Sequence, residues 1–207
     1  MCGLAGVASG EPVDISSPFE TLQIRVYDNA GLTADHRSQA IAAANSILSA
    51  ASIDVEWHDC VAGAEPEDSR CAVPVDPHEL VIRLVSIDEP EDTRLKRPLG
   101  NSLIDKRTNT GTLGTVFSSR VDWLAMKAGI APSLLMGRAI AHELGHLLFG
   151  DLRHSREGLM RAVWTATEVR RGRRRDWVYS ASDQRQIRVL ALKRLRPRGS
   201  AALISMA

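Results

Sequence analysis

The chain has 207 residues, a formal net charge of +1, 44% apolar and 25% charged residues, the balance of an ordinary globular protein long enough for one substantial core. Near-neutral charge excludes a globally basic nucleic-acid binder, and no apolar run reaches the length of a membrane span. Neither nucleic acid nor membrane is an expected partner, and a monomer is expected.

The first ten residues, MCGLAGVASG, are small and apolar, and Gly6-Val7-Ala8 has the form of a signal-peptidase site. The basic n-region is missing and the apolar region is short. Residues 1–20 therefore read as a flexible N-terminus or the remnant of an export signal. The expected location is secreted or periplasmic, with cytoplasm as the alternative.

Residues 21–27 alternate, Leu22, Ile24 and Val26 against Gln23, Arg25 and Tyr27, which predicts a half-buried strand. Asp28 to Gly31 supplies a turn. Thr33 can then cap a helix whose Ile41, Ala44, Leu48 and Ala51 fall at helical spacing. Ile53, Val55 and Trp57 begin a second strand that runs into Cys60. Residues 61–77 form a loop rich in Pro, Gly and acids, with Cys60 before it and Cys71 inside it. Two cysteines without a CxxC cannot make a zinc site alone, so a disulfide is expected, which again points to export.

The nearly continuous apolar run from Leu80 to Ile87 predicts a strand covered on both faces. Asn101–Asp105 reads as a short strand. Thr112–Phe117 reads as a glycine-interrupted strand, expected at the sheet edge with a bulge near Gly114. Val121–Ala128 predicts a short helix stopped by Gly129.

Pro132 opens the central helix at a position where its missing N–H is harmless. Leu135, Met136, Ile140, Leu144, Leu147 and Leu148 give that helix a wide apolar surface, and Gly150 can end it. A loop follows through Met160 and the arginines of 170–175, which read as a solvated loop or an anion-binding surface. Ser180 and Asp183 form a capping box for a last helix carrying Ile187, Leu190 and Ala191, which stops before Pro197. Residues 197–207 read as a frayed tail. With no repeat or linker, residues 21–196 are expected to be one α+β domain. Its mixed, twisted sheet lies over the central helix, and a C-terminal helix closes it.

The central helix carries His142-Glu143-Leu144-Gly145-His146. Residues four apart share a helical face, so both imidazoles can point at one zinc ion. Glu143 sits beside that face, within reach of a metal-bound water as general base. In an apolar helix such a polar cluster is costly to bury without a partner. Catalytic zinc takes three protein ligands, and His154, Asp151 and Glu168 are the candidates for the third. A turn at Gly150 would fold the chain back so that a residue beyond it returns to the metal. His154 has the softer donor and longer reach, whereas Asp151 can orient a ligand from behind. His36, His58 and His78 read as surface residues.

From His142 to Met160 the chain resembles the metzincin metalloproteases, whose signature is HExxHxxGxxH followed by a methionine turn. Residue by residue, the resemblance implies His142, His146 and His154 as zinc ligands, Glu143 as base, Gly150 as turn glycine and Met160 as turn methionine. The HSREGLM segment is similar to the matrixin continuation, as in a divergent bacterial branch. The spacing is stretched: Gly150 lies four residues after His146 rather than three, and His154 eight rather than six. The resemblance also implies a peptide substrate paired along a sheet edge, for which Thr112–Phe117 is the candidate. It implies that the arginine cluster lies beside the cleft, where it would favour acidic substrate side chains. The leading expectation is a zinc-dependent endopeptidase. The alternatives are a gluzincin-type hydrolase with Glu168 as third ligand and a non-catalytic, zinc-stabilised binding protein.

Overall fold

All five expected strands form, and they join one mixed sheet. The structure, a computed structural model, describes residues 21–61, 69–90 and 97–195; the expectations for 1–20 and 197–207 lie outside the described residues. Strands β1 (Leu22–Asn29), β2 (Val55–Val61), β3 (Leu80–Val85), β4 (Gly100–Asp105) and β5 (Thr110–Phe117) take the order β2-β1-β3-β5-β4. All neighbours are parallel except β4 and β5. Helix α1 (Ala34–Ala50) connects the parallel pair β1 and β2, capped by the Thr33 side chain. Helix α2 (Ser118–Ala128) follows β5 directly and stops at left-handed Gly129. Helix α3 (Pro132–Phe149) has Pro132 in its first turn, and α5 (Ala181–Leu195) closes the chain.

Register sorts the two faces of the sheet. Leu22, Ile24 and Val26 share a face with Leu80, Ile82 and Leu84, and with Gly114 and Val116. These residues are buried under α1 and α3, where period-two and period-3.6 apolar patterns meet in one core. The opposite face is polar yet covered. Arg25, fully buried there, pairs with Glu79 at 2.6 Å and donates to the carbonyls of Val73 and Pro74.

The sequence placed Thr112–Phe117 at the sheet edge; the edges are β2 and β4, and β5 lies inside between β3 and β4. The glycines that made β5 look peripheral instead let α3 approach it. The bulge falls where the register passes from Leu103↔Leu113 to Ile104↔Gly111, skipping Thr112. His58 is likewise not a surface residue: it is buried on the polar face with Nε2 2.7 Å from the Gln23 amide oxygen.

Cys60 and Cys71 are bridged. The bridge ties the end of β2 to a short 3-10 turn at Ser69–Ala72, just ahead of the carbonyls that receive Arg25. Replacing both cysteines with alanine is expected to lower the unfolding free energy in non-reducing denaturant titrations. For a sequence separation of 11, the chain-entropy model gives about 3 kcal/mol. An unchanged midpoint and slope would show that the bridge constrains the unfolded chain little.

Candidate metal centre and cleft

Helix α3 turns His142 and His146 to one side, and two backbone carbonyls orient them. The Nδ1 of His142 donates to the Leu159 carbonyl at 2.9 Å, and that of His146 to the Asp151 carbonyl at 3.0 Å. A carbonyl only accepts, so each ring keeps its proton on Nδ1 and a lone pair on Nε2. The two Nε2 atoms lie 3.1 Å apart. Facing lone pairs at that distance repel unless a cation lies between them. Protonation is resisted: burial and then the neighbouring His146 pull His142 down to about 3, and burial and then His154 pull His146 down to about 4. A metal ion satisfies both nitrogens where a proton is disfavoured, and the donor set therefore fits one.

His154 completes the set. One ligand atom from each of His142, His146 and His154 lies within 4.8 Å of the others, and these three are able to hold a metal ion. The return of the chain depends on Gly150, which caps α3 in the left-handed region at φ +69° and donates its N–H to the His146 carbonyl. Ser155, next to His154, anchors the returning loop. Its hydroxyl reaches both carboxylate oxygens of Asp183 at 2.9 and 3.0 Å, and its N–H donates to the Met160 carbonyl. Asp183 and Ser180 form the expected capping box of α5, so the helix end and the ligand loop share one carboxylate.

The other candidates are occupied elsewhere. The Asp151 carboxylate pairs with Arg153 at 2.6 Å, and it is the Asp151 carbonyl that orients His146. Glu168 belongs to a short helix, α4 (Ala166–Arg171), whose capping box it forms with Thr165, and it also pairs with Arg161. The Thr165-x-x-Glu168 pattern was available in the sequence as a sign of that role. Met160 is buried against Gly145, where an added Cβ would meet its sulfur at 2.5 Å.

Glu143 is 4% exposed, with its carboxylate against the sheet. Ser102 Oγ, on β4, donates to Glu143 Oε2 at 2.8 Å and lies 3.1 Å from the Glu143 carbonyl. A Cβ on Gly100 would come within 2.6 Å of Oε1, and one on Gly114 within 3.2 Å of Glu143 Cβ. Burial pushes this carboxyl up to about 7, with the Ser102 bond acting the other way. Sequence reasoning missed all three β4 and β5 residues. Glycine inside a strand was the available signal for two of them, and Ser102 carried none.

A cleft of about 1090 Å³ opens over this constellation, lined by His142, Glu143, His146 and His154 together with Gly100 to Ser102, Trp123, Leu124 and Trp164. Trp164 stands edge-on to His142 at 5.5 Å and to the buried Trp177 at 5.2 Å, and Arg138 lies over Trp177 at 4.1 Å. The arginines of 170–175 are exposed, and Arg170 donates to the carbonyls of Lys127 and Ala128 at the end of α2. None of them lines the cleft.

No family model and no curated protein matches the sequence. Among solved structures the fold is similar to archaemetzincin from Methanopyrus kandleri, with a TM-score of 0.56 and 16% identity over 87% of this chain and 99% of that one. It is also similar to a zinc-dependent peptidase from Methanocorpusculum labreanum, with a TM-score of 0.51 and 14% identity over 79% of this chain and 99% of that one. At these identities the likeness is one of fold.

Proposed function

We propose that the protein is a zinc-dependent endopeptidase of the metzincin type, with His142, His146 and His154 as metal ligands and Glu143 as general base. One observation carries the reading: three imidazoles converge in an open cleft with a buried carboxylate beside them. The likeness in fold to archaemetzincin and to a zinc-dependent peptidase supports it. A bound zinc ion would polarise the scissile carbonyl and acidify water. Glu143 accepts the proton at its carboxylate and passes it to the leaving amine. Strand β4, the outer strand on the cleft side and part of the cleft wall, offers a peptide an edge to pair with.

What supports His154 over Glu168 is position, since Glu168 is held by Thr165 and Arg161. Met160 under Gly145 and the glycine turn at 150 support the metzincin comparison. The stretched spacing is accommodated by α3 running to Phe149 and by three residues between Gly150 and His154. Zinc stoichiometry and peptide hydrolysis, measured on the same samples, test the assignment. His154→Ala is expected to lose most of its zinc and its activity, while Glu168→Ala keeps about one zinc per chain, the stoichiometry of a single closed donor set. The opposite pattern would move the third ligand to Glu168. Zinc-loaded wild type that cleaves no peptide would overturn the peptidase reading.

A further inference from the structure

Glu143 has three rotatable side-chain bonds, and a general base loses its effect when misplaced by about an ångström. Among the described residues its carboxylate is held by one hydroxyl, that of Ser102, which is itself buried. The hydroxyl has one proton and two acceptors in range, Oε2 at 2.8 Å and the Glu143 carbonyl at 3.1 Å. The carbonyl is within α3, where the helical ladder supplies a donor, so the shorter, charge-assisted bond takes the proton. Oε1 lies beside Gly100, where an added Cβ would come within 2.6 Å of it, and Glu143 lines the cleft. Alternation along β4 turns Gly100 and Ser102 toward the helix and leaves Asn101 and Leu103 exposed.

We infer that Ser102 is a positioning residue of the site: its hydroxyl holds Oε2 against β4 so that Glu143 presents its other oxygen to the substrate water. The strand offered to the peptide is therefore also the strand that aims the base. Substrate binding and base alignment share one backbone, and a shift of β4 alters both.

This inference rests on the peptidase reading, and its test can fail separately from it. A peptide hydroxamate chelates zinc and offers its hydroxyl proton to a neighbouring carboxylate. Its dissociation constant is measured by calorimetry on zinc-loaded wild type, Ser102→Ala, Glu143→Gln and the double variant. Ser102→Ala is expected to weaken binding about tenfold in the wild-type background and less than about twofold in the Glu143→Gln background, because the hydroxyl acts through the carboxylate. In hydrolysis, kcat should fall about tenfold or more with KM within about twofold. Equal weakening in both backgrounds, or none in the first, would overturn the role of Ser102. The hydroxamate cycle needs no turnover, so a wild type that binds zinc yet cleaves no peptide sinks the peptidase reading alone.

Discussion

Glu143→Gln is expected to lower kcat by about a thousandfold, within the range that a positioned general base supplies, while the zinc content stays at that of wild type. The amide has the same shape, so it fits the space between Gly100 and Gly114 and can still accept the Ser102 hydroxyl. What it lacks is the ability to take a proton. Stability should not suffer. Burial raises the folded pKa to about 7 from the ordinary carboxylate value of 4.5, so the folded zinc-free protein holds this proton more tightly than the unfolded chain. The contribution to stability is full below the unfolded value and is lost as pH rises through the folded one. At pH 8 the ionised, buried carboxylate is a liability that the amide removes. Steady-state kinetics with metal analysis on one preparation decides the matter; a Gln variant within tenfold of wild type would remove Glu143 from the base role.

Gly150→Ala is the second large effect, and Gly129→Ala is its control. Both glycines end helices at φ +69°, so both substitutions incur the left-handed penalty of about 1 kcal/mol. Nothing lies within 4 Å of a Cβ at 129, whereas a Cβ at 150 would overlap the carbonyl oxygen of Asn109 in the β4–β5 turn. The group met there is main chain rather than the end of a flexible side chain. Gly150→Ala is therefore expected to destabilise by about 3 kcal/mol or more, and Gly129→Ala by about 1. Zinc affinity should fall in the first variant alone, because the residues after Gly150 carry His154. Denaturant midpoints and competitive zinc titrations on the two variants give the comparison; equal losses would mean that the Asn109 contact relaxes freely.

Much of this site is local in sequence, which is why it was legible. The four-residue spacing of His142 and His146, the adjacent Glu143 and the helix stop at Gly150 depend only on helix geometry. Thr33, Pro132, Gly129 and the Ser180–Asp183 box marked helix ends for the same reason. What depends on pairing across the sheet was not legible. The position of β5 is set by β4 folding back antiparallel beyond it, and no property of Thr112–Phe117 announces that. His58 looked exposed because its partner, Gln23, lies 35 residues away on another strand. Helix α4 is only six residues long, too short for apolar periodicity to show. Ser102 was invisible because a serine in a short strand has no pattern of its own, and its role appears only when α3 lies against it.

The glycines at 100, 111 and 114 have a further consequence together. Added Cβ atoms at 100 and 114 would come within 2.6 and 3.2 Å of the Glu143 side chain, and one at 111 within 2.7 Å of the Leu147 side chain, so side chains of the helix pack directly on bare strand backbone here. Across the helix, Gly137 meets the backbone of α1 and Gly145 meets Met160 equally closely. The distance between sheet and helix here is thus set by the absence of side chains on the strands. Such a spacing cannot be adjusted by exchanging one core residue for another of different size. A larger residue at Gly100 would press on the Glu143 carboxylate and one at Gly137 on the backbone of α1, so substitutions along the seam disturb either the carboxylate or the seating of the helix that carries both imidazoles.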